Sequence, residues 1–324
     1  MKISLFSFSI LAFLNFFKHA KHGFSRANAW DIPNPFFTDH TIYATMAAFM
    51  IPLAFVMMVW YAQKNMTKFL FYLFLFIVCF SALILSYSRG ALLSVLIAFA
   101  LYGFIRLKIN WIVTLIILLL LSVTAVMYKN DIYMSLKRNR TESKTKKTNI
   151  GNQLKSVTNV TNDVSNLERI NRWSSAFRMI EEKPLFGFGY GMYQYTYFAY
   201  QKEKEMTSIS IRNPQPKYAA GTGGTTHSEY LLYASENGIH TSVIYIFILI
   251  GAILYTFKNV RYTSPGNYNY HLMLGIGMSI TTYIVHSFFN NFLDTAKISF
   301  IFYVMLASVI HMNIIAKDAY LKNN

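Results

Sequence analysis

Long apolar runs separated by short polar breaks make up most of the chain, and one long polar stretch interrupts the series. A helix needs ~20 residues to cross the hydrocarbon core of a bilayer. Runs of about that length lie near residues 41–62, 67–86, 90–105, 111–127, 228–257, 271–289 and 296–315. A shorter run at 3–17 follows Lys2, and no small-residue cleavage site comes after it. It reads as a spanning helix or the remnant of a longer amino-terminal bundle, with an interfacial helix or a signal-peptide core as the alternatives. The expected organisation is one membrane domain with an insertion: transmembrane helices over 1–128, a large loop over 129–226, and transmembrane helices over 227–324.

The insertion divides in two. From Lys137-Arg138-Asn139-Arg140 through Ser165 it is rich in Lys, Asn, Thr and Ser and has no aromatic residue. Such a segment cannot bury a core, so it is expected to be a solvated arm. Residues 167–182 instead carry Ile170, Trp173, Phe177 and Ile180 at three- and four-residue spacing, the mark of an amphipathic helix. Lys183-Pro184 ends it. Gly187, Gly189 and Gly191 then mark turns before an aromatic run of Tyr190, Tyr193, Tyr195, Tyr197 and Phe198. These glycines imitate a nucleotide-binding loop, but no strand precedes them, so the reading is a plain turn. Gly221-Thr222-Gly223-Gly224 reads as a flexible lead-in first and an anion nest second.

Composition agrees with a membrane protein: 54% of residues are hydrophobic and only 14% charged, against roughly 25% charged in soluble domains. Cys79 is the single cysteine, which excludes a disulfide framework. Charge then supplies an orientation. Lys64 and Lys68, Arg106 and Lys108, Lys258 and Arg261, and Lys317 and Lys322 all fall on one side if the spans alternate. By the positive-inside rule that side is cytoplasmic. Lys18, Lys21 and Arg26 fall on the other side, three charges against four concordant clusters. The expected fold class is therefore all-α, a polytopic transmembrane helical bundle with a large periplasmic loop containing amphipathic helices. Its solvent is the lipid bilayer, and no nucleic-acid partner is expected.

This orientation puts Arg89, Arg169, Arg172 and His227 on the outer side. Arg89 lies in the tight connection Ser86-Tyr87-Ser88-Arg89-Gly90, where a guanidinium either snorkels to lipid phosphate or meets an anionic substrate. Arg169 and Arg172 are either solvated partners of Glu168 or anion ligands. His227 ends the polar segment and opens an apolar one, so it either caps the next helix or acts near neutral pH as a base. No Asp-x-Asp pair is present to hold Mg²⁺ at a diphosphate, and the histidines lack zinc-site spacing. Neither a metal nor another cofactor is expected.

Taken together, these pieces resemble a family. Ser88-Arg89-Gly90 on an external turn is followed by Glu168-Arg169-Ile170-Asn171-Arg172-Trp173, then Pro184-Leu185 and Gly187-Phe188-Gly189, then His227-Ser228 with Gly238 after nine intervening residues. With Asn34-Pro35-Phe36-Phe37-Thr38-Asp39-His40 before a span, this is similar to the O-antigen ligase family, which also includes O-antigen polymerases and bacterial oligosaccharyltransferases that modify protein hydroxyls. Two departures stand out. The chain reads Gly238-Ile239-His240-Thr241-Ser242 where the ligase pattern continues to Gly-Thr, which weakens ligase against polymerase. Fewer spans precede the Asn-Pro-Phe-Phe region than in most members, as expected of a truncated or divergent one.

The resemblance implies a glycan donor linked through diphosphate to undecaprenol, and transfer to the hydroxyl of lipid A core, another glycolipid, a polysaccharide or a protein. Arg89 and Arg169 would bind the diphosphate, Arg172 would be a second ligand or a helix partner, and His227 would be the catalytic base. The implied reaction is metal-independent, with inversion at the anomeric carbon, in the bacterial inner membrane with the site facing the periplasm. Two readings of other classes remain: a transporter with a proton relay through His271, His286 and His311, and a non-catalytic polysaccharide assembly protein using the aromatic run after Gly191.

Overall fold

The structure is a computed structural model that describes residues 1–107, 164–207, 210 and 224–323. The apolar run at 111–127, most of the polar arm and the Gly221–Gly223 lead-in lie outside the described residues. Among those described, the regular elements are helices. Six of them are long and apolar enough to cross a membrane: Lys2–Lys21, His40–Tyr61, Met66–Leu85, Arg89–Arg106, Ile239–Val260 and Ala296–Ile315. The chain is thus an all-α, multi-pass membrane protein, and the shorter run at 3–17 lies in one of the six.

Two units can be described. The first comprises Met1–Gly103, Phe247–His286 and Phe292–Asn324. It contains α1 (Lys2–Lys21), α2 (His40–Tyr61), α3 (Met66–Leu85), and most of α4 (Arg89–Arg106). Asp39 caps α2 by accepting from the Thr41 amide, and Asn65 caps α3 by accepting from Lys68 N at 2.9 Å. Each cap satisfies one of the donors that a helix start leaves open. α2 is the buried centre, packed by α1, α3 and a later helix, Tyr268–His286.

That later helix corresponds to the run at 271–289, but it is not among the six apolar enough to span. Its polar residues Ser279, Thr281, Thr282 and His286 lower its hydropathy, and all four are buried. Ser279 Oγ donates to Phe49 O at 2.7 Å and Thr282 Oγ1 to Ala48 O at 3.4 Å, both on α2. Such bonds between membrane helices contribute ~0.6 kcal/mol each. Gly275 brings the two backbones together, since a Cβ there would lie 2.6 Å from Val56 Cγ2.

The second unit comprises Phe104–Ile246 and Ser287–Asn291. It contains α5 (Val164–Glu182), the short α6 (Tyr193–Thr196), α7 (Glu229–Asn237) and the first turns of α8 (Ile239–Tyr262). The chain closes with α9 (Tyr268–His286) and α10 (Ala296–Asn323), both in the first unit. Ala176, Met179, Tyr193, Tyr197 and Leu232 form the core of the second unit.

Two expectations change here. The run 228–257 is not one span but two helices broken at Gly238, whose φ of +93° is open to glycine alone. A Cβ at Gly238 would sit 1.9 Å from Leu185 O. The stripe Ile170, Trp173, Phe177 and Ile180 is also not the buried face of α5: Phe177 is 54% exposed. The buried face is Glu168, Asn171, Arg172, Ser175, Ala176 and Met179. It shows the same helical period, with Glu168 and Arg172 hydrogen-bonded and Ala176 and Met179 in the apolar core.

Candidate active site

The site in the second unit is assembled by a polar network on the inner face of α5. Glu168 Oε1 accepts from Arg172 Nε at 3.0 Å, with both side chains almost fully buried. Glu168 Oε2 accepts from Thr207 Oγ1 at 2.8 Å and from the Ser210 hydroxyl. Arg172 Nη1 donates to Thr225 O at 2.9 Å, and its guanidinium lies 5.2 Å from the centre of the Tyr197 ring. Gly224 has φ +84°, and a Cβ on it would overlap Arg172 Nη1, so the chain passes directly over the guanidinium. Burial pushes the Tyr193 phenol well above its ordinary range, which keeps it a neutral donor to Arg172 O at 2.8 Å. Through Nε and Nη1, Arg172 is thus a strut between α5 and the segment leading to His227.

His227 has φ +52°, a left-handed conformation uncommon outside glycine. Ser228, not His227, is the N-cap of α7, so the capping role does not belong to the histidine. The turn that holds it is bonded on three sides. Trp173 Nε1 on α5 donates to His227 O at 3.4 Å. Thr225 Oγ1 accepts from His227 N at 3.3 Å and itself donates to Asn291 Oδ1. On the third side Asn290 Oδ1 faces His227 Nδ1 at 3.1 Å. Glu229 N then donates to Ser287 O at 2.9 Å, fixing the start of α7 to the same segment. In the tautomer that donates from Nδ1 to the Asn290 oxygen, Nε2 keeps its lone pair.

Arg169 is on α5, four residues before Trp173 and so on the same face. It is half-buried, and burial holds its guanidinium below the ordinary arginine value. Arg89 belongs to the first unit, where it opens α4 and is half-buried. The turn before it is strained: Tyr87 has φ +56°, with its hydroxyl bonded to Phe24 O at 2.6 Å. The second unit therefore ties the His227 turn to α5 through Arg172 and Trp173, and Arg169 lies on the same helix one turn before Trp173.

The glycine turn is a plain turn, as its sequence context indicates. Phe188 N and Gly189 N donate to Ser235 O and Glu236 O at 3.0 and 2.8 Å. Glu236 then accepts from Gly191 N at 3.0 Å and Tyr193 N at 2.9 Å. Gly187 at φ +61° has no room for a Cβ against the Glu236 backbone.

These segments are the ones that a known family shares. A model of the O-antigen ligase family matches residues 74–246, more than half of the chain. The chain belongs to the O-antigen ligase family. The matched region runs from α3 into α8, so it includes Arg89, Arg169, Arg172 and His227. A search of curated proteins returns no match. Asn290 and Asn291 lie beyond the matched region, and sequence reading had not singled them out. Their signal was a polar pair, Asn290-Asn291, directly after the apolar Phe288-Phe289.

Proposed function

We propose that this O-antigen ligase family member is a membrane glycosyltransferase that moves a glycan from undecaprenyl diphosphate to an acceptor hydroxyl at the periplasmic face. The observation that carries the reading is the His227 imidazole, held at Nδ1 by Asn290 on a turn bonded to the arginine-bearing helix α5. Nε2 of His227 removes the acceptor proton as the hydroxyl oxygen attacks the anomeric carbon. The bond from that carbon to the diphosphate oxygen breaks, and the anomeric configuration inverts. Undecaprenyl diphosphate leaves with the bonding electrons, so the demand is for fixed positive charge. Arg89 and Arg169 supply it, the planar guanidinium matching phosphate oxygens two at a time. Arg172, occupied by Glu168 and Thr225, serves better as the strut than as a ligand. No metal is required in this scheme.

Polymerase activity is the second reading, favoured by the Gly238-Ile239-His240-Thr241 departure from the ligase pattern. A relay transporter is less well supported. His271 and His286 are 15 residues apart on α9, roughly 22 Å along its axis, and each has a local partner, Pro265 O and Thr45 Oγ1 respectively.

The test is transfer by purified protein in liposomes from a defined undecaprenyl diphosphate donor, with donor binding measured alongside. His227→Gln should cut turnover by ~10²–10⁴-fold with donor binding retained, the usual share of a general base. Wild-type turnover by that variant removes the base assignment. Activity should persist in excess EDTA, and its loss with recovery on adding Mg²⁺ would reject the arginine-only scheme.

A further inference from the structure

Immediately after α5 the chain exposes a short apolar ridge: Leu185, Phe186 and Tyr190 are 67%, 82% and 73% exposed. This ridge is held in place, not loose. Ile239 N donates to Pro184 O at 2.9 Å, Gly187 N to Lys183 O at 3.1 Å, and Phe188 N and Gly189 N to the last turn of α7. Leu185 O lies where a Cβ of Gly238 would be, so the ridge and the α7–α8 junction are in backbone contact. Ile239 is the first residue of a 22-residue candidate span, Ile239–Val260. The first turns of that span expose Ile239, Val243 and Ile244, at 45%, 41% and 57%.

These facts place the ridge at the level where α8 enters the hydrocarbon. Large apolar side chains fixed in water are costly relative to burial, and a turn held by these backbone bonds keeps them at the surface. The chemistry beside them suits a lipid surface. Lys183 is exposed with its ammonium 4.4 Å from the centre of the Phe188 ring, which gives the ridge a cation for headgroup phosphates. A tyrosine with an apolar body and a polar tip is at home in the interfacial zone.

We propose that Leu185, Phe186 and Tyr190 form an interfacial anchor that inserts into the bilayer edge and ties α5 and its polar network to the membrane surface. The anchor requires only that α8 spans the membrane, so it stands whatever reaction the protein performs. It would keep the arginine-bearing helix at headgroup height, where any lipid-linked diphosphate must lie.

The test uses the full chain in liposomes of phosphatidylcholine and phosphatidylglycerol. A nitroxide label is attached at Leu185→Cys or Phe186→Cys, with Lys202→Cys as the exposed control; Cys79 is fully buried and stays unlabelled. Power-saturation measurements compare collision with oxygen, which concentrates in the bilayer, and with a water-soluble nickel chelate. The expected result is an oxygen-to-chelate ratio severalfold higher at 185 and 186 than at 202. A ratio at 186 equal to that at 202 overturns the anchor. So does shielding from both reagents with spin–spin broadening that disappears on dilution with unlabelled protein, because a second copy would then be covering the ridge.

Discussion

Among the described residues only Phe24, Tyr87 and His227 are non-glycines with positive φ. A left-handed backbone costs an L-residue roughly 1–2 kcal/mol, and such outliers persist where surrounding bonds over-determine them. One of the three is the proposed base and another lies two residues before Arg89, so strain falls where the proposed chemistry is. The Asn290 contact gives this a sharper consequence. Asn290→Asp replaces a neutral carboxamide with an anion about 3.1 Å from Nδ1. A carboxylate favours the imidazolium and raises the histidine pKa by about 1–3 units. The base works only when deprotonated, so the acid limb of the transfer profile should move to higher pH by about that amount. An acid limb that stays put while turnover merely falls would reduce Asn290 to a structural contact. The arginines are tested by keeping charge and removing shape: Arg89→Lys and Arg169→Lys should each lose most turnover, because an ammonium cannot bind phosphate oxygens in a planar fork. Near-normal transfer by both would reject bidentate donor binding.

At the scale of elements, α5 and the α7–α8 break explain what sequence could and could not disclose. The end of α5 was legible in Lys183-Pro184, because proline stops a helix by local geometry, and the helix does end at Glu182. Its buried face was not, because apolar spacing misses a face that carries the Glu168–Arg172 pair beside Ala176 and Met179. Motif context proposes His227 and the arginines as candidates, and the matched family region includes them. Asn290 could not be found that way, since its role arises from a contact across 63 residues of sequence. The break at Gly238 was hidden for a similar reason: an apolar stretch with one glycine looks continuous until Leu185 is seen to occupy the space a side chain would need. Gly238→Ala should therefore destabilise the protein by at least ~1–3 kcal/mol, the cost of a residue in a glycine-only region, before the clash is added. Thermal unfolding of the variant in detergent checks this, and an unchanged Tm would mean that the turn can relax away from Leu185 without penalty.

At the scale of the whole chain, the proposed reaction requires that Arg89 and His227 face one side of the membrane. α4 begins at Arg89 and ends at Arg106, and α8 begins at Ile239 shortly after His227. For the starts of both helices to face the same side, the chain must cross once more between them. The apolar run at 111–127 has the length for that crossing. For the side itself, the expectation rests on Lys64, Lys68, Arg106 and Lys258, which the positive-inside rule assigns to the cytoplasm at the opposite ends of the spans. The proposed donor is consistent with that side, because a preloaded lipid diphosphate is needed where nucleotide sugars are absent. Cysteine at Lys202 should therefore react with a membrane-impermeant thiol reagent in cells whose outer membrane alone has been permeabilised, and cysteine at Lys64 should react only after the inner membrane is opened. Both positions are exposed, and the buried native Cys79 adds no background. The reverse pattern would put His227 in the cytoplasm, where activated sugars are available as nucleotides and the case for an undecaprenyl diphosphate donor would lose its physical basis.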